Sequence, residues 1–370
     1  MSRDTTRCVA RLARWLGPWT PDSAIPTDVE RREIPIPTRG PDDRPFRARV
    51  YAPAGRPPIG ALLLVPGLHY AGPDDVRMDR FAAILANAGL LVLAPFLPDF
   101  ARLRVGPGLM GDVERSFDVL RALPERPGAV RPGVFSISFG SLPALHLAAA
   151  PPRAEQVGGL VVFGGYADWG ETLRFCLEGA PGRPHDPLNR PVVFMNLLEH
   201  MRGLPEDIDS VTRAWDRFVR RTWGRPEMKV RERWEAVARE EARDLSDAEK
   251  RLFLLGCGLE PGGAERCAAA LERAGNRFDW LDPRPRLSTL RCPVYLVHGR
   301  DDDVIPHTQA ARLAEAMPGE AEVHTMLTGM YAHTSTMGLR ELAALAPAAV
   351  GELRSMVGIL RAIARVATSG

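Results

Sequence analysis

Short apolar runs that alternate with helically spaced segments constrain this chain more than any other feature. Residues 61–65, 90–94, 134–136, 159–163 and 293–297 are short runs, almost wholly apolar, without polar–apolar alternation. Strands buried on both faces read this way. Between them apolar residues recur at helical spacing, first at Phe81, Ile84, Leu85 and Ala88, then at Val113, Phe117 and Leu120. Buried strands alternating with helices predict an α/β fold, a mostly parallel sheet with helices on both faces. Residues 29–52 behave differently, alternating polar with apolar around a Gly-Pro-Asp-Asp turn. That pattern predicts an antiparallel hairpin with one wet face.

The alternation stops after residue 163 and resumes near residue 287. In between, residues 205–252 are charge-rich with Val211, Trp215, Phe218 and Val219 at one helical face, and a further helix is expected over 264–274. The division expected is therefore a core of residues 29–163 and 287–370, interrupted by a helical insertion at 164–286. After the run at 293–297 a helix near 309–316, a strand at 321–327 and a terminal helix beyond Pro347 complete the core. Residues 1–28 form an N-terminal helix and linker. Over residues 5–19 arginines gather opposite Val9, Leu12, Trp15 and Leu16. Such a helix either docks its apolar face on the core or makes peripheral contact with an anionic membrane. It is too short and too often interrupted by arginine to span one.

Composition removes several function classes. The 370 residues carry 48 basic and 46 acidic side chains, a net charge of +2. With acidic residues interleaved throughout, no nucleic-acid partner is expected. Five cysteines, an odd number without C-x-x-C spacing, give neither a disulfide framework nor a zinc signature. They fit a reducing, cytoplasmic setting.

The stretch from Arg131 to Leu145 reads as a strand, a sharp turn bearing Ser138, and a helix of small and apolar residues. A serine at such an apex with small residues two positions to either side is the setting of a nucleophile elbow. Larger flanks would collide with the neighbouring strand and helix. Gly140 meets the requirement downstream; upstream stands Ser136, whose buried hydroxyl needs a partner. Three further features fall where an elbow enzyme needs them. Pro66-Gly67-Leu68 follows the first buried run, where a loop amide can join that of Phe139 in holding an oxyanion. Asp301, Asp302 and Asp303 follow the run at 293–297, at the strand end where open α/β sheets build their sites. His333 lies in a loop after the last strand and completes the chain order Ser, Asp, His.

Taken together, these residues resemble the α/β-hydrolase fold superfamily, most closely its esterase-type members with a helical cap. The resemblance rests on Ser136 to Gly140, Pro66-Gly67, the stretch from His298 through Asp302 to Pro306, and His333, and covers roughly residues 29–163 and 287–370. It implies Ser138 as nucleophile, Asp302 as acid, His333 as base and the backbone amides of Leu68 and Phe139 as the oxyanion hole. It implies no metal or organic cofactor, and a small-molecule acyl ester as substrate. Two residues depart from the pattern: Ser136 replaces the usual glycine, and Pro66 stands where a histidine often precedes the oxyanion glycine. A thioesterase, an acyltransferase and a non-catalytic binding protein are the alternatives on this fold. Substrate choice is expected to reside in the insertion, where Met195, Leu197, Leu198, Phe253, Leu254 and Leu255 either line an acyl pocket or form the insertion's own core. His69 and Tyr70, beside the oxyanion loop, are candidate substrate contacts.

Overall fold

A computed structural model describes residues 2–15, 24–41, 43–151, 153–329, 331–332, 335–336 and 346–370. Its centre is an eight-stranded sheet in the order β1-β2-β4-β3-β5-β6-β7-β8. The strands are β1 (Val29–Ile36), β2 (Phe46–Pro53), β3 (Gly60–Val65), β4 (Leu90–Pro95), β5 (Gly133–Ile137), β6 (Leu160–Phe163), β7 (Val294–Gly299) and β8 (Val323–Thr328). β2 pairs antiparallel with both β1 and β4, and every other pair is parallel. This is the mostly parallel α/β sheet expected. β3, β4 and β7 are buried at every position, as runs without alternation should be. The hairpin forms, but β2 is wetter only at its start, because α2 packs over Tyr51 on one face and the core of Ala48, Val50 and Ala52 lies on the other.

Helices cover both faces. On one side lie α4 (Gly108–Ala122), α5 (Ser141–Ala149) and α12 (Thr308–Glu315), after the short α3 (Pro98–Ala101). Their core gathers Leu63, Leu93, Phe117, Val134, Leu145 and Leu296. On the other side lie α1 (Arg3–Ala13), α2 (Val76–Asn87) and the terminal helix α13 (Ala346–Ala367), over Leu62, Val92, Phe135 and Val161. Glycines let α13 press on the strand starts. A Cβ at Gly133 would lie 2.6 Å from the Val366 carbonyl oxygen, and one at Gly60 would lie 2.3 Å from that of Ala367.

α1 is shorter than the expected 5–19, its last helical residue being Ala13. Its apolar side is taken up by the protein. Cys8 and Leu12 are buried in the α2–α13 core, Thr5 hydrogen-bonds Thr368 at 2.9 Å, and the Trp15 indole donates to Asn87 Oδ1 at 3.0 Å. The docked alternative therefore describes residues 3–15; Leu16 to Trp19 lie outside the described residues. No described helix is long and apolar enough to cross a membrane.

Between β6 and β7 the chain builds α6 (Trp169–Glu178), α7 (Arg190–Leu197), α8 (Ile208–Thr222), α9 (Arg231–Glu241), α10 (Asp247–Gly256) and α11 (Gly263–Ala274). All four residues marked for one face of α8 are buried. Trp215 sits against Gly256, where a Cβ would fall 2.5 Å from the indole, and its Nε1 donates to the Phe253 carbonyl. Met195, Leu197, Phe253 and Leu254 belong to this helical core. The core is shared with the sheet domain through Leu103, Leu142, Val304 and Ile305.

Candidate active site

β5 ends at Ile137 and α5 begins at Ser141, leaving three residues to reverse the chain. Ser138 takes φ +52°, a left-handed conformation that costs an L-residue roughly 1–2 kcal/mol. Nothing in a serine side chain requires this, so the surrounding structure imposes it. The cause is close packing. A Cβ on Gly140 would lie 2.3 Å from the Pro66 carbonyl oxygen, so the β3 loop abuts the turn and only glycine fits there. Upstream, Ser136 is fully buried, and its hydroxyl donates to the Val161 carbonyl of β6 at 3.3 Å. The required partner is a strand carbonyl next door.

The same β3 loop brings Leu68 to the turn. A Cβ on Gly67 would lie 3.3 Å from both the Ile137 carbonyl oxygen and Ser138 Cβ, so backbone lies directly against the serine. Among the described residues, neither the Leu68 nor the Phe139 amide donates a hydrogen bond to the protein. Two undirected donors beside one hydroxyl suit a developing negative charge. Phe139 is held by ring contacts with Tyr166 and Trp169.

The three adjacent aspartates separate by environment. Asp301 is exposed. Asp303 is buried and ion-paired with Lys229, which also lies 3.5 Å from Asp186. Asp302, 3% exposed, accepts from the amides of Val304 at 2.9 Å and Ile305 at 2.8 Å through Oδ1. Its Oδ2 lies 3.4 Å from Nε2 of His298, a ring whose Nε2–H donates to the Ile305 carbonyl at 2.9 Å. Backbone donors on one oxygen fix the carboxylate's plane and leave the second oxygen directed elsewhere. The strand of origin is β7, at its carboxyl end. Beyond β8, Tyr331–Ala332 pairs antiparallel with Ser335–Thr336; His333 itself lies outside the described residues.

Ser138 lines a cavity of about 320 Å³ together with Gly67, Leu68, Phe139, Val304 and residues of the insertion, among them Trp169, Val193, Trp223 and Lys229. Of the six apolar insertion residues weighed as pocket or core, none lines it. His69 does, and Tyr70 turns away to bond the Arg220 carbonyl at 3.4 Å beneath the Arg220 guanidinium. The His69 ring accepts the Ala71 amide on Nδ1, which leaves the proton on Nε2, 3.5 Å from Asp75. Burial, aided by Arg77 and Arg220 and opposed by Asp75, pushes the His69 pKa down to about 4. Burial raises Asp75, but its bidentate pair with Arg77 outweighs this and holds it below the usual carboxylate range. No group of three or more His, Cys, Asp or Glu among the described residues is placed to hold a metal. All five cysteines are unpaired and buried; burial pushes Cys176, which donates to the Val304 carbonyl, up to about 12.

Sequence reasoning missed Asp186, Lys229, Leu103 and Asn196. Lys229 carried a signal, since it is one of only two lysines in the chain. Leu103 carried none. Among the described residues it is the second non-glycine residue at positive φ, +58°, and the Asn196 side chain straps the bend by bonding the Leu103 carbonyl and the Val105 amide.

No family model matches the chain, and no curated protein matches its sequence. Several solved structures are similar in shape. One is brefeldin A esterase, a bacterial homologue of human hormone-sensitive lipase, at TM-score 0.48 and 16% identity, covering 99% of this chain and 88% of that one. Another is the esterase Est22, at TM-score 0.49 and 13% identity, with coverages of 93% and 82%. A third is the Pyrococcus horikoshii acylaminoacyl peptidase, at TM-score 0.48 and 11% identity, covering 90% of this chain; the chain spans only 40% of that peptidase's length. At these values the likenesses bear on neither substrate nor mechanism. The sheet order, the single reversed strand β2 and the strained serine turn after β5 carry the assignment themselves: the fold is that of the α/β hydrolases.

Proposed function

We propose that the protein is a serine hydrolase of carboxylic esters. The observation that carries this reading is the left-handed Ser138 at the apex between β5 and α5, a strained conformation of the kind found where a nucleophile is presented. Ser138 attacks the acyl carbon while His333 takes its proton, and the amides of Leu68 and Phe139 hold the oxyanion. His333 then protonates the leaving alcohol and activates the water that releases the acyl group. Asp302 orients the imidazole and stabilises its cation. Two backbone donors and near-complete burial support Asp302 over its neighbours, since Asp303 is engaged by Lys229 and Asp301 is solvated. Residues 164–286 act as a cap, contributing Trp169, Val193 and Trp223 to the wall facing the serine.

The test uses a fluorophosphonate probe and p-nitrophenyl esters on the full chain. The probe labels the wild type at Ser138, and Ser138→Ala loses both labelling and turnover. Asp302→Asn lowers kcat by about 10⁴, the loss seen when a triad histidine takes the wrong tautomer, while Asp303→Asn retains most activity. Labelling at another residue, or equal losses from the two aspartate variants, refutes the assignment.

A further inference from the structure

The cavity at Ser138 has two arms of different chemistry. Toward the insertion its wall is mixed, with Asp186, Asn189, Thr222, Arg225 and Lys229 among the apolar residues. The other arm leaves from Ile137, the residue before the serine, and follows the sheet between α2 and α13. Its walls are Ile84 of α2, Phe135 and Ile137 of β5, and Ile359, Leu360 and Ile363 of α13, and its far end is Leu12 and Trp15 of α1. These eight residues are apolar, and the one polar side-chain atom among them, the Trp15 indole nitrogen, is already bonded to Asn87.

The space between a helix pair and a buried sheet normally holds core side chains at crystal-like density. An apolar cavity there cannot satisfy water and accepts apolar ligands instead. The arm is also long: β5 rises about 3.3 Å per residue, so from Ser138 back to Phe135, the deepest β5 residue lining it, it runs roughly 10 Å, and Leu12 and Trp15 lie beyond. Ser138 lines the same cavity, next to Ile137 at the mouth of this arm.

We propose that the arm between α2 and α13 receives the acyl chain of the substrate, and that the enzyme is selective for esters of long, unbranched fatty acids. The proposal rests on Ser138 being the nucleophile. The mixed arm beneath the insertion then faces the alcohol portion, and α1, docked across α2 and α13, closes the channel. α1 thereby becomes a determinant of chain length.

The experiment pairs binding with turnover. Full-length protein carrying Ser138→Ala is titrated with cis-parinaric acid, a fluorescent fatty acid, and challenged with laurate or butyrate. Laurate displaces the probe and butyrate does not. Ile359→Trp, which plugs the arm one helical turn above Ile363, abolishes probe binding. In the otherwise wild-type enzyme the same plug lowers kcat/KM for p-nitrophenyl laurate by about tenfold or more, the scale of pocket discrimination between acyl lengths. Turnover of the butyrate ester falls less, so the ratio of laurate to butyrate kcat/KM drops. Should the tryptophan variant unfold, as judged by circular dichroism, Ile359→Ala widens the arm and shifts the preference toward longer chains. Probe affinity equal in plugged and open proteins overturns the proposal, as does a chain-length profile that neither variant moves. Butyrate turnover without fatty-acid binding leaves the hydrolase standing and removes the acyl arm. Fatty-acid binding that the plug abolishes, in a protein that cleaves no ester, keeps the arm and removes the hydrolase.

Discussion

Strain at Ser138 makes a prediction that separates stability from catalysis. Ser138→Ala keeps the β-carbon and hence the left-handed penalty, whereas Ser138→Gly removes it. That penalty is roughly 1–2 kcal/mol. Glycine returns part of the gain, about 0.4–1 kcal/mol, through the greater freedom of its unfolded chain. The glycine variant is therefore expected to be more stable than the alanine variant by about 1 kcal/mol. Both lack the nucleophile and lose activity by several orders of magnitude. Unfolding entropy near 2.1 cal/mol/K per residue over 370 residues turns that difference into about 1 °C in Tm. Differential calorimetry of the two variants, backed by urea denaturation at constant m, resolves such a shift. An alanine variant as stable as the glycine one would mean that residue 138 carries no left-handed strain. The turn would then lose its claim to be an elbow, whatever the activity of either protein.

Two further outcomes follow from charges around the site. Lys229→Met removes the ammonium paired with the buried carboxylate of Asp303 and should destabilise the protein by roughly 3 kcal/mol; Asp303→Asn in the same chain should recover much of that, both read by urea denaturation. His69 is neutral in the folded protein down to about pH 4, while its unfolded pKa is near 6.5. Its depressed pKa therefore contributes stability that is present above about pH 6.5 and lost as pH falls toward 4, on the order of 3 kcal/mol; a His69→Gln variant should show a flatter stability profile across that window.

Much of the fold was legible because each layer leaves a distinct period. β3, β4 and β7 had no alternation since both faces are covered, and α8 showed its buried stripe outright. α1 was legible as an amphipathic helix, but its partner was not, since docking on α13 depends on residues more than three hundred positions away. The choice among Asp301, Asp302 and Asp303 was equally out of reach, because it depends on who meets each carboxylate. Asp303 is claimed by a lysine from the insertion, and Asp302 by amides of its own loop. Leu103 shows the same limit from the backbone side. Its left-handed bend is enforced by Asn196, nearly a hundred residues later, and a leucine in sequence gives no sign of it.

The parity of β5 ties these observations together. Val134 and Ser136 point toward α5 and the core beneath it, and Phe135 and Ile137 toward α2 and α13. The first pair supports the helix that carries the turn, which is why residue 136 must be small and why its hydroxyl must find Val161 within the sheet. The second pair forms the floor of the apolar arm. A one-residue slip of β5 against β3 and β6 would exchange the two sets. It would put an aromatic side chain under the elbow and hydroxyl and valine on the acyl floor. Glycines at the strand starts, pressed against the last turn of α13, oppose that slip. The contact at the bottom of the sheet and the serine at its top are therefore linked through the register of a single strand.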